Sequence, residues 1–249
     1  MIDNDFYIGY ESTMPPGIAR RVRPAAAAIL VCAVSVAVVL VLVQQRSSTG
    51  AFEFGHTRMV EGRLVEFPYP ALDVTGPDRP AQGFYWLVGP GKHGAAALVR
   101  GLDGRSVRVS GTLIEREGDA MLQLEPGSIA PIGRETRRIA TPAERIRTVR
   151  VLGEIVDSKC HLGVMKPGEG PTHRDCAVRC LLGNIFPLVV VHGSRDFPAR
   201  LALIDDAQRP LAADYAALAG RPLAITGTLV AQGPRRFLSA RVADIEIIR

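Results

Sequence analysis

The sequence lacks the short motifs that mark the common enzyme classes. It contains no Gly-x-Ser-x-Gly of a hydrolase, no glycine loop that binds phosphate and no His-Glu-x-x-His of a metalloprotease. Aromatic residues are scarce, at 6% with a single tryptophan, and the net charge of +5 comes from scattered basic residues. A groove that binds nucleic acid would need basic residues interleaved with aromatic ones. These absences argue against a familiar enzyme and against a nucleic-acid partner.

One stretch of the chain, residues 24–43, lacks charged side chains altogether. A helix of this length spans about 30 Å, which is the thickness of the hydrocarbon core of a bilayer. Arg20, Arg21 and Arg23 precede the stretch and only Arg46 follows it closely, an asymmetry that favours a cytoplasmic N-terminus. Because no clear cleavage site follows, we expect an uncleaved transmembrane helix after a cytoplasmic tail at 1–23, with a cleaved signal peptide as the alternative.

The chain beyond the apolar stretch contains a weak internal repeat. Residues 59–66 match residues 150–157, and residues 102–114 match residues 218–230. Apolar and polar residues alternate through the second pair, which is typical of strands with one buried face. Repeats of this length predict two related domains in tandem rather than a solenoid.

Each repeat is expected to contain five strands. They are predicted near 58–67, 82–88, 94–99, 105–115 and 119–132 in unit 1, and near 149–157, 186–192, 199–204, 221–230 and 235–248 in unit 2. In unit 2 a short helix at 210–218 separates the third and fourth strands, which is the element order of an OB-like barrel. We therefore predict a mainly β fold of two tandem OB-like five-stranded barrels at 55–133 and 149–249, joined by a linker at 134–148. A β-sandwich is the alternative.

Unit 2 is the longer of the two, mainly because of a loop at 158–183 between its first and second strands. OB-like barrels commonly bind their ligands with the loop at this position. Of the four cysteines in the chain, all but Cys32 lie in this loop, together with two histidines and a methionine. Cys32 lies in the apolar stretch, where it is expected to be a small membrane residue. Any chemistry of the chain is therefore expected in this loop.

The second half of the loop is predicted to form a helix. Thr172 is expected to be its N-cap, and Gly183 is expected to end it. On such a helix His173, Cys176 and Cys180 fall on one stripe, because they are three and seven positions apart. The rest of the loop can then close over this stripe.

Six side chains in the loop are candidate ligands for a transition metal such as Cu, Zn or Fe. They are Cys160, His161, Met165, His173, Cys176 and Cys180. The spacing C-x15-C-x3-C is not that of a zinc ribbon, a C-x-x-C redox pair or a haem attachment site, so the sequence names no particular metal or cofactor. Two alternatives stay open: a structural disulfide from Cys160 to Cys176 or Cys180, and a reactive thiol or exchangeable disulfide.

The loop and the strand before it also resemble a known group of proteins. Residues 153–160 read Gly-Glu-Ile-Val-Asp-Ser-Lys-Cys, and residues 173–177 read His-Arg-Asp-Cys-Ala, with Cys180 beyond them. This combination resembles the core of an uncharacterised family of bacterial membrane-anchored proteins. The resemblance implies no particular chemistry.

These observations together predict a membrane-anchored accessory protein of the bacterial inner membrane, with its C-terminal part in the periplasm. Its loop is expected to bind a metal or cofactor, or to handle thiols, for a redox or maturation system. A membrane or periplasmic protein is the expected partner. The alternative is a non-catalytic structural or interaction module whose loop is stapled by a disulfide.

Overall fold

The computed structural model describes residues 13–46, 50–133, 142–193, 197–207 and 213–248. By its internal contacts the chain divides into two compact units, Met1–Ser48 and Thr49–Arg249. The first unit contains the apolar stretch, and the second contains the β-rich part.

The first unit is built on one helix, α1 (Pro16–Arg46). Among the described residues, it is the one helix long and apolar enough to cross a membrane, with a mean hydropathy of 3.1 over an 18-residue window within Pro16–Val43. Ser35 is one of the few polar residues in this stretch, and its hydroxyl donates a hydrogen bond to the carbonyl oxygen of Val31 at 2.8 Å. The polar group is therefore satisfied within the helix itself.

Five strands close the first barrel of the second unit. They are β1 (Ala51–Val65), β2 (Ala71–Asp73), β3 (Phe84–Val88), β4 (Ser106–Arg116) and β5 (Asp119–Leu124). The strands pair in the order β1-β2-β3-β5-β4, and β4 pairs again with β1. The β3–β5 pair is parallel and the other pairs are antiparallel. The helix α2 (Ala96–Val99) lies between β3 and β4, and the short β6 (Ala130–Pro131) pairs with β4.

The second barrel repeats this topology. Its strands are β7 (Glu144–Asp157), β8 (Pro187–Val191), β9 (Arg200–Ile204), β10 (Leu223–Gln232) and β11 (Arg235–Ser239). They pair in the order β7-β8-β9-β11-β10, with β10 returning to β7 and with β9 and β11 parallel. A 3-10 helix at Ala213–Leu218 precedes β10, and a 3-10 turn at Val242–Asp244 leads to β12 (Ile245–Ile247), which pairs with β10. The predicted tandem OB-like barrels are thus confirmed, and the closed sheets are incompatible with a β-sandwich.

One strand predicted for the first barrel is wrong. The segment near 94–99 contains the helix α2 instead, because its run of alanines favours a helix over a strand. The true second strand is β2, which is only three residues long and too short to show an alternating pattern. After this correction both barrels have a helix between their third and fourth strands.

Two predicted boundaries in the second barrel also differ from the structure. β7 begins at Glu144, inside the stretch 134–148 that was expected to be a linker, of which residues 134–141 lie outside the described residues. The predicted helix at 210–218 is a 3-10 helix over Ala213–Leu218, and residues 208–212 are not described.

An apolar core joins the two barrels. It is distinct from the cores inside each barrel, and it contains Tyr69 and Trp86 from the first barrel with Phe186 and Phe237 from the second. The ring centroid of Phe186 lies 4.9 Å from that of Tyr69 and 4.9 Å from that of Trp86. Aromatic rings at this separation attract each other beyond the gain from burial alone. The barrels therefore pack as one body.

Two arginines add polar contacts across the same interface. Arg235 of the second barrel forms an ion pair with Asp73 and lies 4.7 Å above the ring of Phe84. Arg200 forms an ion pair with Glu117 of the first barrel at 2.8 Å. These contacts fix the orientation of the two barrels, and so fix which loops meet.

Candidate metal centre

Two helical elements hold the inserted loop between β7 and β8. A π-helical turn at Cys160–Val164 follows β7 closely, and the helix α3 (Arg174–Leu182) comes after it. The predicted N-cap at Thr172 is wrong: the N-cap residue is His173, whose position is set by a contact of its side chain with Asp157. Gly183 ends α3, as predicted.

Glycines allow the first barrel to approach the inserted loop very closely. A Cβ atom on Gly183 would lie 1.8 Å from the carbonyl oxygen of Lys92, and one on Gly94 would lie 2.0 Å from that of Asn184. The N–H of Gly94 donates a hydrogen bond to the carbonyl oxygen of Gly183 at 2.9 Å. The segment 89–94 of the first barrel is thereby held against the insertion.

Three thiols converge in this insertion. The Sγ atom of Cys160 lies 3.9 Å from that of Cys176 and 4.0 Å from that of Cys180, and all three lie within 4.8 Å of one another. Cys160 and Cys180 are buried, and Cys176 is half-buried. The described residues include all four cysteines, and each of the four is a free thiol. The disulfide staple expected as an alternative is therefore not found.

The separations of these sulfur atoms fit a bound metal ion. A disulfide bond is about 2.05 Å long, roughly half of what is observed. A metal held by thiolates at about 2.3 Å separates its sulfur ligands by about 3.8 Å in a tetrahedral site and by about 4.0 Å in a trigonal one. The three cysteines could therefore hold a metal with little movement.

A buried carboxylate, Asp157, contacts both the backbone of Cys160 and the side chain of His173. Asp157 is fully buried at the end of β7; its Oδ1 accepts the backbone N–H of Cys160 at 2.8 Å, and its Oδ2 lies 2.9 Å from Nε2 of His173. Ligand atoms of Asp157, Cys160 and His173 also lie within 4.8 Å of one another, so this group could hold an ion as well. The carboxylate thus orients both Cys160 and His173.

Two lysines bring positive charge to the thiols. Nζ of Lys92, from the first barrel, lies 2.9 Å from Sγ of Cys176 and 3.7 Å from Sγ of Cys180. Lys159 is buried, and its Nζ donates hydrogen bonds to the carbonyl oxygens of Gly89 and Gly91 at 2.9 and 2.7 Å. Each barrel therefore places one lysine ammonium group against the other barrel: Lys92 reaches the second barrel, and Lys159 reaches the first.

The pKa values in the cluster follow from these contacts. The pKa of Lys92 is raised, chiefly by its hydrogen bond to Cys176, and that of Lys159 is lowered by burial. The pKa of Cys160 is raised by its hydrogen-bonding contact with Cys180 and by burial, whereas the same contact lowers the pKa of Cys180. One buried thiol is thus favoured as a thiolate, the form that binds metals.

The structure separates His161 from the thiols. Arg116 Nη1 lies 2.8 Å from Nδ1 of His161 and donates a hydrogen bond to its carbonyl oxygen at 2.6 Å. Burial lowers the pKa of His161 to about 3, so the ring is neutral at physiological pH. Of the six candidate ligands, His161 belongs to neither of the ligand groups that the described residues form.

The last candidate, Met165, lies at the edge of a pocket of about 250 Å³ that opens onto the thiols. The pocket is lined by Gly91, Lys92, Gln123, Lys159, Cys160, Val164, Met165, Cys176 and Cys180. Met165 itself is 45% exposed. Solvent therefore reaches the thiols through this pocket, and the thioether of Met165 lies along its opening.

Sequence reasoning missed the groups that surround the thiols. Asp157 and Lys159 immediately precede Cys160, so their place in the same motif was a usable signal. Lys92 had no such signal, because it lies 84 positions from Cys176 and in the other barrel.

No protein-family model and no curated protein matches this sequence. Among solved structures, the chain is similar to a deletion mutant of the single-stranded DNA-binding protein from Thermus aquaticus, at 16% identity and a TM-score of 0.22. The similarity covers 81% of this chain and 96% of that chain. At such a TM-score it supports no conclusion about fold or function.

The fold and the site together define a class of protein. It has an apolar N-terminal helix that could span a membrane, two closed β-barrels packed through a shared core, and a cysteine cluster that could bind a metal.

Proposed function

We propose that the chain is a membrane-anchored accessory protein that binds one soft transition-metal ion through the thiolates of Cys160, Cys176 and Cys180. The observation that carries this proposal is the separation of their sulfur atoms, 3.9 and 4.0 Å from Cys160 to the other two. Thiolate ligands favour Cu(I), Zn²⁺ or an iron centre over hard cations such as Mg²⁺ and Ca²⁺.

The groups around the thiols support the same proposal. Bringing three thiolates together is unfavourable without positive charge nearby, and the ammonium group of Lys92 lies beside two of them. Asp157 holds the backbone of Cys160 and the ring of His173 in place, as carboxylates commonly do around metal ligands. A purely structural loop would need neither arrangement.

We further infer that α1 anchors this site at the periplasmic face of a bacterial inner membrane. The basic residues Arg20, Arg21 and Arg23 before the apolar stretch, against Arg46 after it, favour a single span with a cytoplasmic N-terminus. There the protein would exchange its metal with a membrane or periplasmic partner that belongs to a redox or maturation system.

A second candidate function is thiol–disulfide exchange with a partner protein. It is favoured by the same short distance, because Cys160 and Cys176 need to approach by only about 2 Å to form a disulfide. In that exchange the two thiols would be oxidised, and the disulfide of the partner would be reduced to two thiols.

Metal content of the full-length protein in detergent tests the first proposal. The protein is reduced, loaded with Cu(I) or Zn²⁺ without oxygen, separated from free ions and measured by mass spectrometry together with its thiol content. We expect one ion per chain and four thiols after the ion is removed. Absence of a bound ion, with two thiols lost in a stable disulfide, would contradict the proposal and favour the stapled loop.

Two serine variants of the same protein make this test specific. Cys176→Ser removes the least buried thiol of the cluster, and it should weaken binding by more than the ~10–100-fold that is typical of losing a supporting group. Cys32→Ser removes the thiol in α1 and serves as the matched control, with unchanged binding. Equal binding by both variants would remove Cys176 from the ligands.

The anchor has its own test. The intact mass of protein isolated from membranes should include the residues before α1. A mature chain that begins near Phe52 would contradict anchoring and indicate a cleaved signal peptide.

A further inference from the structure

The mouth of the pocket over the thiols carries a soft ligand that the cluster itself does not use. Met165 follows the π-helical turn in an extended conformation, and its backbone N–H is hydrogen-bonded to the carbonyl oxygen of Cys160 at 3.2 Å. Its backbone is thus fixed beside the first thiol, while its side chain is 45% exposed.

We propose that this pocket is an exchange path for Cu(I), in which Met165 is the first ligand that the ion meets and Lys92 is the counter-charge that turns aside to admit the ion and stays near the loaded thiolates. This inference rests on the proposed metal-binding function and adds the identity of the ion and the route by which it is exchanged.

The ligand types along the path select the ion. A thioether binds Cu(I) well, whereas Zn²⁺ in proteins is bound by thiolate, imidazole and carboxylate groups. Zn²⁺ is almost always four-coordinate in structural sites. The observed separations of 3.9 and 4.0 Å lie within about 0.2 Å of both the trigonal and the tetrahedral values. The choice of Cu(I) therefore rests on the thioether of Met165.

The side chain of Lys92 can move aside when the ion enters the pocket. Its side chain is exposed, and its ammonium group contacts the sulfur atoms of Cys176 and Cys180 from the rim of the pocket. A lysine head group can leave such a position by rotation about its own flexible stem, without movement of either barrel. Its charge compensates the thiolates before the ion binds, and it also compensates the negative charge that three thiolates keep around one Cu(I) after loading.

The exchange involves no oxidation or reduction. Copper remains Cu(I) from the donor to the thiolates, and each thiol that becomes a ligand releases its proton to water. The thioether of Met165 binds and leaves through a lone pair and carries no proton. The number of protons released equals the number of thiols that were protonated before loading.

The kinetics of copper loading test this path. Full-length protein in detergent is mixed with Cu(I) held by a coloured Cu(I) chelator, and the loss of colour gives both the loading rate and the equilibrium affinity. Met165→Leu keeps the size and apolar character of the side chain, and it should slow loading by about tenfold with a much smaller change in affinity. Met59→Leu is the matched control, because Met59 is 64% exposed on β1.

The charge is tested in the same way. Lys92→Gln should weaken Cu(I) binding, and Lys92→Arg should restore most of it, whereas Lys166→Gln removes an exposed lysine that does not line the pocket and should have no effect. Parallel loading with Zn²⁺, read with a zinc-sensitive dye, should be insensitive to Met165→Leu.

The outcomes separate the two proposals. If the wild-type protein binds neither ion, the proposed metal-binding function fails. If it binds Cu(I) but Met165→Leu loads at the wild-type rate, or slows Zn²⁺ equally, the exchange path is wrong and the metal site stands. If Zn²⁺ displaces Cu(I) from the wild-type protein, the assignment to Cu(I) is wrong.

Discussion

Lys92 of the first barrel lies with its Nζ atom 2.9 Å from Sγ of Cys176 in the second barrel, across 84 positions of sequence. In return, Lys159 of the second barrel donates to the carbonyl oxygens of Gly89 and Gly91 in the first. The candidate site is therefore formed by both barrels, and not by the second barrel and its inserted loop alone. The first barrel, which has no cysteine of its own, supplies part of the charge around the thiols.

Substitution of Gly94 should disturb the site from the first barrel. In Gly94→Ala the new Cβ would lie 2.0 Å from the carbonyl oxygen of Asn184, and backbone must move to relieve this contact. We expect the free energy of unfolding to fall by about 1–3 kcal/mol, and Cu(I) affinity to fall because Lys92 moves with the segment. Thermal unfolding and copper titration measure both effects.

Gly101→Asn is the control for this variant. Gly101 lies in the same barrel with φ +78, has open space around it and does not line the pocket over the thiols, and asparagine tolerates this conformation. Stability and copper affinity close to wild type are expected. A Gly94→Ala variant that behaves like this control would show that the close approach of the two segments is not needed for the site.

The repeat and its period-two alternation were enough to predict two barrels, because closed sheets bury one face of every strand. The same reasoning failed for β2. A strand of three residues, Ala71–Asp73, shows no period, and its place is set by pairing with β1 and β3. The alternation rule instead predicts a strand near 94–99, although Ala95 is the N-cap residue of α2 and Ala96 and Ala97 begin it.

The site was predictable only where it is local in sequence. The helical spacing of Cys176 and Cys180 placed them on one side of α3, and the loop length allowed Cys160 to reach them. His161 was included because it follows Cys160, but neighbouring residues leave a helical turn in different directions. Lys92 arrives through packing between barrels, which no local pattern encodes.

Asp157→Asn should loosen the thiol cluster without removing a thiol. The carboxylate is fully buried and holds both the N–H of Cys160 and the ring of His173. An amide can satisfy only one of these donors well, so we expect copper affinity to fall about 10–100-fold and stability by about 1–3 kcal/mol. Chelator competition and chemical unfolding provide the measurements.

Asp175→Asn is the matched change on the surface of α3, where the carboxylate is exposed. It should alter copper affinity little. Equal losses in the two variants would mean that general negative charge near the cluster matters, rather than the two hydrogen bonds of Asp157.

Phe186→Ala should separate the barrels. Phe186 is 3% exposed, and its ring contacts those of Tyr69 and Trp86 in the first barrel. Removal of a buried phenylalanine side chain costs about 3–5 kcal/mol, and here the loss falls on the core that both barrels share. Phe54→Ala, at a position that is 81% exposed, should cost much less. A single cooperative transition in Phe186→Ala with the wild-type midpoint would contradict the shared core.

His161 should make the protein sensitive to mild acid. Burial lowers its pKa to about 3 from 6.5, so between these values the unfolded chain binds a proton that the folded protein does not. Stability then falls as the pH drops below about 6.5, and the loss grows until the folded ring is protonated near pH 3. At pH 5 this group alone accounts for about 2 kcal/mol.

His161→Gln removes the titrating ring and keeps a polar side chain next to Arg116. We expect the variant to lose about 2 kcal/mol less than wild type between pH 7 and pH 5, measured by chemical unfolding of the metal-free protein at each pH. His56→Gln is the control, since His56 is exposed on β1 and should leave the pH dependence unchanged.

Parallel pH profiles for wild type and His161→Gln would mean that the ring accepts a proton in the folded state. Arg116 would then have to move, because its guanidinium nitrogen lies 2.8 Å from Nδ1, and the loop that carries Cys160 would have to open at the pH where the proton binds.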